Sequence, residues 1–116
     1  MTPPPMVRYT KNLGRKQYTI NYDLTKMDND SYRWATVTLA PGLWSYGSII
    51  AAIVATKYGP NELQAITANM LGILSGSFDH LPAEKIEEYK KECRELALWR
   101  DHAKEIAKAA LDYNPT

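Results

Sequence analysis

The sequence predicts an α+β protein in which an antiparallel β-hairpin is followed by three helices, the last of them long. Two patterns predict this class. Residues 18–40 alternate with the two-residue period of strands, whereas residues 44–113 repeat their apolar positions every three or four residues. A chain of 116 residues is long enough for one domain with one modest core. We therefore predict an arm over residues 1–16 and a single α+β domain over residues 17–116.

The first sixteen residues are predicted to form an extended, basic, proline-rich arm. Pro3, Pro4 and Pro5 favour the polyproline conformation, which has no internal hydrogen bonds. The segment from Arg8 to Lys16 carries four basic side chains and no acidic one. Three interpretations stay open: a solvated tail, an arm docked on another subunit, or a contact to nucleic acid. Four cations are a weak cluster for phosphate binding.

The predicted hairpin spans residues 18–40. Its first strand, YTINYDLT over 18–25, places apolar side chains on one face and polar ones on the other. The apolar face consists of Tyr18, Ile20, Tyr22 and Leu24. Residues 26–31 are rich in Asp and Asn and predict a turn, and YRWATVTLA over 32–40 predicts the second strand. A two-stranded hairpin is marginal alone, so helices or another chain must cover it.

Helices are predicted over about 44–57, 61–74 and 82–113, separated by Pro-Gly, Gly-Pro and Ser-Gly-Ser breaks. The first helix is apolar almost all round, with Gly47, Ala51 and Ala55 forming a strip of small residues. Its uninterrupted part, Tyr46–Thr56, is far shorter than the roughly 20 residues of a membrane span. We therefore expect a helix buried on most sides, either by its own domain or by a neighbouring subunit.

The third helix has one apolar stripe with a heptad-like spacing. The stripe consists of Ile86, Tyr89, Cys93, Leu96, Trp99, Ala103, Ile106, Ala110 and Tyr113. An unbroken helix of this length would reach roughly 45 Å, which exceeds the need of a compact domain. Either the helix bends near residue 99, or one end projects and is covered by a partner.

No catalytic, cofactor-binding or metal-binding constellation is expected, and the protein is predicted not to be an enzyme. Trp99, Arg100, Asp101 and His102 are consecutive, so on a helix they point about 100° apart and do not converge on one substrate atom. The single cysteine, Cys93, lies in the apolar stripe and is predicted to be a small buried hydrophobe. No metal-binding or phosphate-binding motif is present.

The residues that remain as candidates for function are those typical of protein interfaces. They are prolines, which favour an extended docking segment, and aromatic residues and arginines, which are common at interface hot spots. The candidate interface residues are Pro3, Pro4, Pro5, Arg8, Tyr9, Arg15, Trp34, Trp44, Tyr46, Trp99 and Arg100. The expected partners are other protein subunits, identical or different. No membrane contact and no small-molecule substrate is expected.

The charge and the cysteine content bear on location. The formal net charge is +1, so the whole molecule is not a polyanion binder. A single cysteine suits a reducing compartment, and the N-terminal residues lack the apolar segment of a secretory signal. We expect a protein that stays in the cytoplasm of the producing cell or is packaged from it into a particle.

Two segments carry a resemblance. They are YRWATVTLAPGLWSYGSIIAAIVATKYGPNELQAI and WRDHAKEIAKAAL. Their order of strand pair, P-G-x-W-x-Y-G turn, apolar helix and closing W-R-x-x-A-K-x-I-A helix resembles small uncharacterised proteins encoded by bacteriophages and prophages of gut bacteria, over roughly residues 18–112. The resemblance implies a virion or virion-assembly protein of the tail, baseplate or head.

The leading hypothesis is therefore a non-enzymatic structural or assembly subunit of a multi-protein particle, such as a phage virion. The alternative is a small adaptor or inhibitor module that acts on a host protein through exposed aromatic residues. A nucleic-acid-binding accessory protein ranks third and would act through the basic segment 8–16.

Overall fold

The computed structural model describes residues 2–113 and confirms the α+β class, with three helices of which the last is long. The strands are β1 (Val7–Asn12), β2 (Arg15–Lys26) and β3 (Tyr32–Thr38). The helices are α1 (Tyr46–Ala55), α2 (Pro60–Leu74) and α3 (Ala83–Asp112). The strands form one antiparallel sheet in the order β1-β2-β3.

The sheet has one strand more than the sequence predicts, because residues 7–12 of the predicted arm form β1. Val7 pairs with Ile20, and both side chains are buried, so this pairing covers apolar surface that a two-stranded hairpin would expose. The preceding residues also lie along β2. Asn21 donates its backbone N–H to the Met6 carbonyl at 2.8 Å and its side-chain amide to the Pro5 carbonyl at 2.9 Å.

A bulge in β2 corrects the predicted face of Leu24. The register passes from Tyr22 opposite Ala35 to Thr25 opposite Arg33, so β2 contains one extra residue. Asp23 adopts a left-handed backbone with φ 55° at this point. The extra residue inverts the alternation, and Leu24 is exposed instead of sharing the buried face of Tyr22.

The core lies between one face of the sheet, α1 and the C-terminal half of α3. Its most completely buried large side chains are Ile20, Ile49, Ile53 and Val7. The domain thus buries the isoleucines of α1 without a partner. It leaves the strip of small residues exposed, since Gly47, Ala51 and Ala55 face away from the core. Of the two expected sources of cover, the domain itself therefore does not cover this strip.

Helix α3 continues from Ala83 to Asp112 without an interruption near residue 99. Its C-terminal half enters the core through Ala103, Ile106, Ala107 and Ala110. Its N-terminal half extends beyond the core and packs against α2. We call α2 together with residues 83–96 of α3 the helical projection.

The projection makes the molecule long. The Cα radius of gyration is 18.2 Å and the principal extents are 57 × 39 × 21 Å, whereas a compact chain of this length has a radius of about 13 Å. None of the helices in residues 2–113 is long and apolar enough to cross a bilayer.

Candidate functional site

The loop between β1 and β2 forms a basic hairpin tip, which we define as residues 11–16. Leu13 and Gly14 are the two central residues of the turn, with φ 54° and 80°, as type I′ hairpins require. Leu13 is 98% exposed. Lys11 and Lys16 pair across the two strands, and Arg15 lies beside them. None of these three cations forms a salt bridge with another residue in the described part of the chain.

The aromatic residues behind the tip are occupied within the molecule. Tyr18 stacks on Trp44 with ring centroids 4.3 Å apart and contacts Tyr9 at 5.9 Å. Lys16 places its Nζ 4.5 Å from the centre of the Tyr9 ring. Trp44 and Tyr9, predicted as interface residues, thus join the sheet to the loop before α1. The Arg15 guanidinium lies against Gly42, where an added Cβ would displace it.

Strand β3 is an open edge of the sheet. Leu39 donates its backbone N–H to the Tyr18 carbonyl, so the backbone groups of Leu39 and of every second residue before it point toward β2. The backbone groups of Trp34, Thr36 and Thr38, which alternate with these, therefore point to the free edge. The Trp34 side chain is exposed on this strand. The strand contains one charged residue, Arg33, and no proline, so it lacks most of the features that guard edge strands.

The helical projection contains an acidic groove, which we define by the residues that line it. The groove holds about 280 Å³ of open space between α2, α3 and the loop before α2, and its lining residues are Tyr58, Glu62, Ala65, Ile66, Glu92 and Glu95. Ala65 and Ile66 supply apolar surface, and three carboxylates surround it. Glu62 is oriented toward the start of α2, because its Oε1 accepts the Gly59 backbone N–H at 3.4 Å.

The groove raises the pKa of the Tyr58 phenol above its ordinary value of 10.0, through burial first and then through the negative charges of Glu95 and Glu62. The folded state therefore holds the neutral phenol more strongly than the unfolded chain does. Below the unfolded value this stabilisation is complete, because the phenol is neutral in both states. It is lost as the pH rises above 10.0 and through the folded-state pKa.

We expect Tyr58→Phe to make the alkaline loss of stability shallower than in the wild type. Urea unfolding at about pH 8 and about pH 11 measures the difference, since the linkage acts only in the alkaline range. In a second variant, Glu95→Gln, tyrosinate absorbance should show Tyr58 ionising at a lower pH than in the wild type. An unchanged alkaline slope in Tyr58→Phe would contradict the assignment.

A polar junction ties the sheet to α3 at the bulge. His102 Nε2 lies 2.6 Å from Asp23 Oδ1, and the Trp99 ring lies 5.5 Å from the His102 ring. Trp99 donates its Nε1–H to the Ile53 carbonyl at 3.3 Å, and Lys57 Nζ lies 4.8 Å from a Trp99 ring centre. The bulge directs Asp23 toward the helix, which regular alternation would not do. The junction therefore positions α1, α3 and the sheet relative to one another.

A double-mutant cycle with Asp23→Asn and His102→Gln should give a coupling free energy of about 0.5–1 kcal/mol, the upper range for a side-chain pair of this exposure. Both side chains keep more than a third of their surface exposed, at 42% and 45%, so a larger value is not expected. Urea denaturation of the four proteins measures the coupling. A coupling of zero would show that the short contact adds nothing to stability. Asp101 and Lys104, an exposed pair 3.7 Å apart, provide the matched control cycle.

The predicted interface residues do not form one surface. Trp99 and Trp44 serve internal contacts, whereas Trp34, Tyr46, Arg8 and Arg100 are exposed on different elements. Pro3 and Pro4 are half-buried and Pro5 is bound to β2 through its carbonyl. Sequence reasoning missed the acidic groove, although the isolated Glu62 on an otherwise uncharged α2 was a signal. It also missed the Asp23–His102 pair, which no spacing rule connects.

The described residues offer no evident metal centre, since no group of three or more His, Cys, Asp or Glu side chains among them could hold an ion. Cys93 is half-buried in the stripe of α3. Comparison of the chain with known protein families, curated proteins and solved structures gives no match. The proposals that follow therefore rest on the residues and geometry of this chain.

Proposed function

We propose that this protein is a non-enzymatic structural or assembly subunit of a multi-protein particle. The observation that carries the proposal is the amount of surface that the fold leaves open. The accessible surface is 7951 Å², whereas a compact monomer of 13.1 kDa exposes about 6,400 Å². A projecting helix pair accounts for such an excess, and a neighbouring subunit that packs on the projection would cover it.

The outer face of α2 supports the same proposal. Helix α2 has fifteen residues and one charged side chain, Glu62. Leu71 and Leu74 lie one turn apart and are 60% and 75% exposed. Solvated helices normally carry charged residues on the face away from the core. A face with leucine, alanine and few charges is typical of a surface covered in an assembly. The resemblance of residues 18–112 suggests a bacteriophage virion as the particle.

Gradient sedimentation of an extract from the producing cells tests the proposal. The chain, followed by mass spectrometry, should sediment with a large particle in a fixed ratio to other chains. A chain that remains at the position of a free 13.1 kDa protein, in extracts where the mature particle is present, would contradict the proposal.

The open edge of β3 favours the adaptor as a second candidate function. An extended segment of a host protein would add a strand to this edge through backbone hydrogen bonds, with Trp34 as a side-chain contact. If the protein is an adaptor, the purified chain should be a stable monomer that captures one host protein. Trp34→Ala should weaken that capture, whereas Tyr46→Ala, an exposed aromatic residue outside the sheet, should leave it unchanged.

A further inference from the structure

We propose that the basic hairpin tip of one copy docks into the acidic groove of a second copy, so that the subunits associate head to tail. The inference rests on the proposed function and names the partner that would cover part of the helical projection. Two independent features carry it: an exposed leucine in an unfavourable backbone conformation, and a groove whose charge and shape complement the tip.

The first feature is Leu13 at the end of the hairpin. A type I′ turn favours Asn, Asp or Gly at both central positions, because other residues are disfavoured at positive φ. Leu13 has φ 54° and is 98% exposed. In the isolated chain its backbone is therefore in a disfavoured conformation, and its apolar side chain stays in contact with water. Backbone outliers of this kind are concentrated at functional sites. Burial of the Leu13 side chain in an apolar cavity of a partner would remove it from water and so stabilise the contact.

The second feature is the match between tip and groove. The groove holds about 280 Å³ of open space, with Ala65 and Ile66 as apolar lining, which suffices for one leucine side chain. Glu62, Glu92 and Glu95 line the same groove and would face the cations of the tip. Among the described residues, these three carboxylates form one salt bridge, from Glu95 to the exposed Lys91 at 3.9 Å. The groove thus keeps an excess of negative charge.

The unpaired tip cations supply the complementary charge. Lys11, Arg15 and Lys16 lie within three residues of Leu13 in the same hairpin, and no acidic residue precedes Asp23 in the chain. Lys16 lies over the Tyr9 ring and Arg15 against Gly42, and neither forms a salt bridge within the described residues. A leucine flanked by three cations therefore meets a small apolar groove flanked by three carboxylates. Charge complementarity of this kind sets the register and speeds association.

The contact joins two different surfaces of the chain. Leu13 does not occupy the groove of its own copy, because its side chain is almost fully exposed. An interface between unlike surfaces is heterologous, and it closes into a ring or continues as a filament, depending on the rotation between copies. Rings and filaments are the geometries of repeating particles, which links the contact to the proposed function.

Sedimentation velocity of the purified full chain over a range of concentrations tests the contact. The wild type should form oligomers at low salt that dissociate as salt rises. Leu13→Asn should weaken association at least tenfold. The same variant should raise the melting temperature of the subunit, since Asn-Gly is the preferred type I′ pair. This combination separates a lost contact from a damaged fold.

Exchanging the charges of one tip residue and one groove residue provides a second test. Lys11→Glu and Glu92→Lys should each weaken association when tested alone. An equimolar mixture of these two single variants should regain association, because their alternation places opposite charges at every contact. The double variant carries both exchanges, restores opposite charges at every contact, and should associate like the wild type. Glu105→Lys, on the exposed face of α3 outside the groove, is the matched control and should associate normally.

Two results would overturn the inference. If the wild type associates and the tip and groove variants associate equally well, the contact lies elsewhere and the proposed function is unaffected. If the purified chain is monomeric at every concentration and at low salt, head-to-tail association is wrong. The gradient experiment on the native particle then decides the proposed function separately, because it also detects assembly with different chains.

Discussion

Replacing Ile53 with alanine is expected to lower the free energy of unfolding by about 3 kcal/mol, within the range of 2–5 kcal/mol typical of large-to-small core substitutions. Ile53 is completely buried, at the place where α1 meets the sheet and α3. Its backbone carbonyl also accepts hydrogen bonds from Trp99 and Thr56. The truncated side chain leaves a cavity in a rigid surrounding, so relaxation recovers little of the loss. Urea denaturation at neutral pH measures the change.

Leu74→Ala is the matched control for this prediction. The substitution removes a similar amount of apolar side chain, but Leu74 is largely exposed at the end of α2. The purified monomer should therefore change by less than about 0.5 kcal/mol. A loss for Ile53→Ala that is no larger than the loss for Leu74→Ala would show that the core is not where the fold places it.

Gly72→Ala is expected to destabilise the protein by about 1–3 kcal/mol, although alanine is a better helix former than glycine. Gly72 is buried in α2 next to the Phe78 ring. A Cβ at this position would meet three atoms of the ring, with the nearest approach at 2.5 Å. The ring centroids of Phe78 and Tyr89 of α3 lie 5.9 Å apart. Displacement of the Phe78 ring would therefore loosen the packing at the end of the projection. Thermal and urea unfolding measure the effect.

Gly47→Ala should have the opposite sign. Gly47 lies in the first turn of α1, and a Cβ there meets no atom within 4 Å. The substitution should stabilise the protein by up to about 1 kcal/mol through helix propensity and the lower entropy of the unfolded chain. The two variants make the same chemical change in two helices. Equal effects would contradict the packing of Phe78 against α2.

The local patterns of the sequence predicted most of the secondary structure, because short-range periodicity and turn residues express backbone preferences directly. The apolar spacing of α2 and α3 matches the faces that the structure buries, including Ile66 and Ala103. Tyr113, the last residue of the predicted stripe, is an exception, because it lies beyond the end of α3 and is exposed. The breaks at 41–42, 59–60 and 75–77 separate the elements as predicted. Strand β1 was missed because its one fully buried residue, Val7, is a weak signal beside five exposed residues.

The bulge at Asp23 was also beyond sequence reasoning. An uninterrupted alternation over 18–25 predicts a regular strand, and nothing local marks the point at which Leu24 and Asp23 exchange faces. The partner of Asp23 is His102, seventy-nine residues later in the chain. A contact at this separation depends on how α3 crosses the sheet, which is a property of the packed core.

The same division applies to the candidate surfaces. The basic character of residues 8–16, the small-residue strip of α1 and the excess length of the third helix follow from the sequence, since composition and period depend only on neighbouring residues. Tertiary structure alone decided that the basic segment folds into a hairpin with Leu13 at its tip. It also decided that Glu62, Glu92 and Glu95 surround one groove. These groups lie on separate helices, and their side chains converge only because burial of the apolar stripes fixes α2 against α3.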